Sequence, residues 1–182
     1  MARIPYLTKD DLPEEQKNLL SRDIALNRVL AHSPNGMRAF GTLGGFIRNT
    51  SKLDARLREM AILQVGYLTR SRYEYSHHIK IGREFGVSDD DIRAIALDTA
   101  GQPTVLDELT RAVLACAREM TGGLAASAST FAVLQRHLDT ESLVDLVMTV
   151  AFYCGVVRLL ATLEVDVEEE YLHYLEEFPL PG

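Results

Sequence analysis

Cysteine is scarce in this chain, and its placement excludes whole classes of chemistry. Cys116 and Cys154 are far apart and each sits in an apolar run, so there is neither a disulfide framework nor a C-x-x-C redox pair. A reducing cytoplasm is the expected location. The 19 basic residues are scattered along a chain of formal charge −7, which repels nucleic acid and anionic lipid. Neither is an expected partner. The opening residues MARIPYLTKDD lack the basic-then-apolar order of an export signal. The longest apolar stretch, residues 146–157, is bounded by Asp145 and Arg158 and falls short of the roughly 20 residues of a membrane span. It reads as a buried core helix. There is no usable internal repeat, and no Gly-rich phosphate loop, so no organic cofactor is expected.

What is present is ordinary for a globular protein. In 182 residues, 47% are hydrophobic and 25% charged, enough for one sizeable core and too little for two. A single domain over residues 1–182 is expected. Apolar residues recur at three- and four-residue steps, while alternating β-branched runs are nearly missing, so the fold is predicted all-α, a single-domain bundle of about seven or eight helices. Pro13 opens the first, with acids behind it. The second stops near Pro34, and the third carries Gly41, Gly44 and Gly45, small residues that let a neighbour approach. Ser51 and Asp54 form a capping pattern, Gly86 suits a left-handed helix end, and Ser88 with Asp91 repeats the cap. Later helices are predicted at about 104–121, 126–138, 140–163 and 166–177. The last, acidic helix puts Val167, Tyr171, Tyr174 or Leu175, and Phe178 on one stripe that closes the subunit's own core or lies on a neighbour.

The chemistry-bearing stretch is SRYEYSHH, residues 71–78. Residues three and four apart share a helix face, so Ser71, Glu74 and His78 project together while His77 is turned about 100° away. His77, His32, His137 and His173 carry no special context. The short turn before Ser71 makes an antiparallel helix pair that brings Glu59 towards the same face. A carboxylate beside an imidazole fixes the ring's tautomer and supports its protonated form, which suits acid–base work near neutral pH. Glu74 and His78 at i, i+4 could both face a metal ion, but no second histidine completes a ligand set, so no metal is expected. The competing reading is structural: S-x-x-E is also a capping box, in which Ser71 and Glu74 are consumed by backbone N–H groups. Residues 78–95 fit a loose helix-turn-helix pattern as well, yet Asp89, Asp90 and Asp91 would open the recognition helix and repel phosphate.

The stretch 53–95 resembles the carboxymuconolactone decarboxylase family, which includes the alkylhydroperoxidase D-like proteins, in its R-E helix, its Y-E-x-x-x-H helix and its G-V-S turn. Residues 143–168 resemble a C-terminal helix of the decarboxylase-like branch. The family's redox branch uses a glutamate, a C-x-x-C pair and a histidine. Those positions fall on Glu59, Ser71, Glu74 and His78, so both thiols are missing and an alkylhydroperoxidase-like antioxidant activity is disfavoured. The decarboxylase branch's E-x-x-x-H matches Glu74 and His78. The resemblance implies cofactor-independent proton transfer, a decarboxylation or isomerisation of a small lactone or carboxylic acid. His78 would be the proton shuttle, and Glu59 and Glu74 would tune it. Ser71, Arg58 and Tyr73 would be substrate contacts. It also implies a homo-oligomer, a trimer or hexamer, with the pocket near an interface. The remaining alternative is a non-catalytic small-molecule binder.

Overall fold

The computed structural model describes residues 2–182. Among them there is no strand; nine α-helices and two short 3-10 segments, Lys9–Asp11 and Glu14–Leu20, make up the regular structure. The α-helices are α1 (Ala25–Leu30), α2 (Pro34–Asn49), α3 (Ala55–Leu68), α4 (Arg72–Glu84), α5 (Asp89–Thr99), α6 (Glu108–Gly122), α7 (Ala128–His137), α8 (Thr140–Leu163) and α9 (Glu169–Glu177). The count runs slightly above the expected seven or eight because the segment before α2 is cut into short pieces. Pro13 does stand at a helix start, but of a 3-10 segment. Pro34 begins α2 instead of ending its predecessor, since proline's missing N–H costs nothing in a first turn.

Helix α3 is the axis of the molecule. Every residue from Leu57 to Gly66 is buried, and α4, α5, α6 and α8 all pack on it. Burial on all sides explains why two charged residues, Arg58 and Glu59, must find partners inside the fold. The hairpin from α3 to α4 turns through Arg70, which is left-handed at φ 53°. Its close approach depends on Gly66, where an added Cβ would sit 3.2 Å from the Cα and N of Tyr75. That contact brings the buried face of α4 onto α3.

The caps follow side-chain chemistry, with one change of owner. Asp54, not Ser51, caps α3 by accepting from Leu57 N, while the Ser51 hydroxyl donates to Asp145 at 2.7 Å. Gly86 takes the left-handed turn after α4 at φ 91°, and Ser88 and Asp91 form the reciprocal box opening α5. The acids of α5 are largely spent on neighbours: Asp91 binds Arg56 and Asp89 binds Arg83. Helix α9 lies on α4 of its own chain, burying Tyr171 and Phe178. Helix α8 is only partly a core helix. It is long and apolar enough to cross a membrane by length and composition, and 39% of its most apolar window is buried. One face carries Leu146, Val150 and Val157 into the core, while Val144 on the other is 55% exposed.

Candidate functional site

The α3–α4 hairpin sets two carboxylates on either side of one imidazole. Glu59 Oε2 lies 2.6 Å from His78 Nδ1, and Glu74 Oε1 lies 2.9 Å from Nε2. All three residues are at most 4% exposed. With an oxygen at each ring nitrogen, both nitrogens donate and the ring is held as the imidazolium. Burial alone would lower the His78 pKa, but the charges of Glu59 and Glu74 outweigh it and push it up to about 9. Burial likewise acts to raise the Glu59 pKa, and the positive charges of His78 and Arg58 hold it below the usual carboxylate range. Arg58 donates from Nε to Glu59 Oε1 at 2.9 Å and from Nη1 to the Arg48 carbonyl at 3.1 Å, and its guanidinium lies 4.5 Å from the centre of the Phe85 ring.

This charged row ends at a cavity of about 390 Å³. Glu74 and His78 form part of its wall, and Glu59 and Arg58 stand behind them. Tyr153 of α8 presents its ring edge-on to His78, centroids 5.1 Å apart, and also lines the cavity. Burial, then the charges of Glu74 and Glu59, push its phenol far up, so it remains an O–H donor. Gly41 and Gly45 face the cavity with nothing within 4 Å of an added Cβ, and Gly44 meets only Phe152 at 3.8 Å. The glycines of α2 therefore keep the cavity open; they do not admit a neighbouring helix as anticipated.

Of the residues singled out in the sequence, Glu59, Glu74 and His78 come together. Ser71 does not join them: it lines a separate surface depression with Val157 and Glu164. The reason is local. Ser71 precedes the first helical residue, with φ −75° and ψ 94°, so helical spacing does not apply to it. Nor does it cap α4 through its side chain, and Glu74 is turned to His78, so the anticipated capping box is absent. Arg58, expected as a substrate contact, is buried behind Glu59 and does not line the cavity. Tyr73 does line the cavity, its hydroxyl accepting from Leu26 N and donating to Glu168 Oε1, both at 3.3 Å.

A second cluster had no sequence signal. His77 Nε2 meets Glu168 Oε2 at 2.7 Å, and its ring is stacked between Tyr73 (4.1 Å) and Tyr171 (3.6 Å). Glu168 also accepts from Ala25 N at 2.7 Å. Two of the free N–H groups at the start of α1, those of Ala25 and Leu26, are thus met by residues from elsewhere, which compensates for Ile24, an N-cap without a polar side chain. Residues 18–30, which roof the cavity through Ile24, Leu26 and Leu30, are fastened there.

Residues 34–119 match the model of the carboxymuconolactone decarboxylase family. Over that stretch, just under half of its length, the chain is similar to that family. Glu59, Glu74 and His78 fall inside the matched span, whereas Tyr153, Glu168 and the roof fall outside it. Solved structures agree in fold. An uncharacterized peroxidase-related protein from Ralstonia eutropha JMP134, described as an alkylhydroperoxidase AhpD core, superposes with TM-score 0.77 at 20% identity, covering 99% of this chain and 98% of the other. The debrominase Bmp8 in complex with 2,3,4-tribromopyrrole gives TM-score 0.80 at 18% identity, covering 98% of this chain and 100% of that one. A peroxidase-related protein from Silicibacter sp. TM1040 gives TM-score 0.75 at 17% identity, covering 93% of each chain. No curated protein sequence matches significantly.

Proposed function

We propose that this protein is a member of the carboxymuconolactone decarboxylase family and a cofactor-independent enzyme that transfers protons on a small lactone or carboxylic acid, in a decarboxylation or an isomerisation. One observation carries the reading: a buried imidazolium held at both nitrogens by carboxylates, with the Glu74–His78 end open to a cavity of small-molecule size. In a decarboxylation, the bond to the carboxylate carbon breaks and its electron pair passes into the conjugated system of the substrate. CO₂ leaves, and the Glu74–His78 pair delivers a proton to the resulting enolate. Glu59 keeps the ring oriented and charged, and Arg58 keeps Glu59 ionised. In an isomerisation the same pair removes a proton at one carbon and returns it at another.

Thiol peroxide chemistry has little support. Neither cysteine lines the cavity; Cys116 is buried with its Sγ 3.7 Å from Met120 Sδ, and Cys154 lies against Thr121. Burial, then Glu119, pushes the Cys116 thiol up to about 11, which keeps it protonated and unreactive. The partner we propose besides substrate is a second copy of the chain, in a trimer or hexamer in the cytoplasm. The apolar groove along Leu138, Val144, Val147 and Met148 supports self-association.

The test is a screen of small lactones and β-keto acids, followed by CO₂ release or absorbance, repeated with Glu74→Gln and His78→Ala. Glu74→Gln is expected to reduce turnover by about 10²–10⁴-fold with the fold retained, the range for loss of a general acid–base group. His78→Ala should lose activity as well, with some stability, because two buried carboxylates are left facing each other. Full turnover by Glu74→Gln would remove the proposal.

A further inference from the structure

The cavity contains positive charge that the fold itself does not use. Across the molecule most internal arginines are matched: Arg56 with Asp91, Arg118 with Asp98, Arg58 with Glu59. At the cavity, the carboxylates are matched too. Glu59 and Glu74 face His78 and Arg58, and Glu168 is turned to His77 and the Ala25 N–H. Two cavity residues are left over. Arg22 is exposed at the rim, and Arg48, half-buried at the end of α2, has a guanidinium with no carboxylate partner among the described residues. Arg58 reaches its backbone carbonyl and not its side chain. Arg48 stands close enough to Tyr153 for its charge to act on that phenol, so it shares the chamber of His78.

A planar guanidinium with free donors at a partly desolvated wall matches the two oxygens of a carboxylate. The rest of the wall says what that carboxylate is attached to. Met37, Phe40, Leu26, Leu30 and Phe152 offer a set of apolar and aromatic side chains, with Asn18, Ser21, Asn27 and Asn49 as the other polar lining. We infer that Arg48 is the specificity-determining residue of the cavity, holding the carboxylate of a small ligand whose body is flat and apolar, aromatic or unsaturated. The inference rests on the proton-transfer reading only for the fate of that ligand; the binding stands apart from it. In a chain of net charge −7, an unmatched arginine in a pocket also draws an anion inward past an otherwise repelling surface.

The experiment uses benzoate and its neutral isostere benzamide as probes, titrated by calorimetry into the full-length protein carrying Glu74→Gln, so that turnover plays no part. Benzoate should bind more tightly than benzamide by at least tenfold. Arg48→Ala should abolish that preference while leaving benzamide binding unchanged, and Arg48→Lys should restore it in part. A purely structural role at the last turn of α2 would move the melting temperature and leave the preference intact. Equal binding of the two probes, an unchanged preference in Arg48→Ala, or no benzoate binding at millimolar concentration would each overturn the inference. Selective binding with no turnover of any carboxylate by the unmodified protein would instead leave Arg48 standing and remove the proton-transfer reading.

Discussion

His77 and His78 are neighbours in the chain, are equally buried at 4% exposure and each sit against a glutamate, yet they belong to different machinery. His78 takes its partners from nearby: Glu74 one turn earlier and Glu59 across one hairpin. Both of its nitrogens are engaged, and one end of the assembly opens to the cavity. His77 is partnered by Glu168, 91 residues away, and its two ring faces are covered by Tyr73 and Tyr171. A ring stacked on both faces and tied at Nε2 to a helix-capping carboxylate is a fastener between α1, α4 and α9. A ring between two carboxylates in a buried wall is suited to carry a proton, the role proposed for it. Residue type and burial are the same; the difference lies in how many partners converge and whether any of them reaches open space.

The comparison breaks most sharply at Glu59. Replacing it with Gln leaves Arg58 and His78 buried with less compensating charge, a change expected to cost about 3–5 kcal/mol. Thermal unfolding measures it, and a loss under about 1 kcal/mol would show that Glu59 contributes little to holding the row. The effect is tied to pH. The folded His78 pKa, at about 9, lies above its ordinary 6.5, so its stabilising contribution is complete below about pH 6.5 and is lost as pH rises through 9. For Glu59, depressed in the folded state, the contribution is present above its ordinary 4.5 and is lost as pH falls through the folded value. The unmodified protein should therefore weaken between pH 6.5 and 9, and Glu59→Gln should flatten that decline. A decline of the same size in both proteins would assign it to another group.

The fastener is tested by Glu168→Ala. It removes the acceptor for Ala25 N and the partner of His77, and about 1–2 kcal/mol is expected, the scale of a lost helix cap with a charged acceptor. Hydrogen exchange should accelerate in residues 18–30 and remain slow in α3. Uniform acceleration through the whole chain would mean that Glu168 supports the fold at large and not the roof in particular.

What was legible follows the same division. The helical class, the cap at Ser88 and the left-handed Gly86 came from local rules, because caps and turns are decided within a few residues. Glu59, Glu74 and His78 were legible because a hairpin and one helical turn connect them. Tyr153, Glu168 and Arg48 were not, since Tyr153 and Arg48 reach the cavity, and Glu168 reaches Tyr73 and His77 of its wall, only through tertiary packing of α8, α2 and the α8–α9 connection. Nothing in the residues beside Arg48 shows that its guanidinium ends without a carboxylate. Helix α8 misled in a further way: its apolar run predicts complete burial, while one face of the folded helix remains uncovered. Composition reports how much apolar surface a helix has, and only the neighbours decide how much of it is hidden.

The smallest expected effect falls on Ser71, and it sharpens the comparison from the other side. By sequence spacing Ser71 belongs with Glu74 and His78; in the structure it stands one residue before the helix, its hydroxyl makes no cap and it faces a different depression. Its backbone keeps the hairpin through Ser71 N donating to the Gly66 carbonyl at 2.9 Å, a bond that any residue but proline can make. Ser71→Ala should therefore change stability by less than about 0.5 kcal/mol. Substrate turnover should be unaltered as well, because no atom of this side chain borders the His78 cavity. A tenfold drop in kcat with the melting temperature unchanged would return Ser71 to the site and show that the helix start moves when ligand enters.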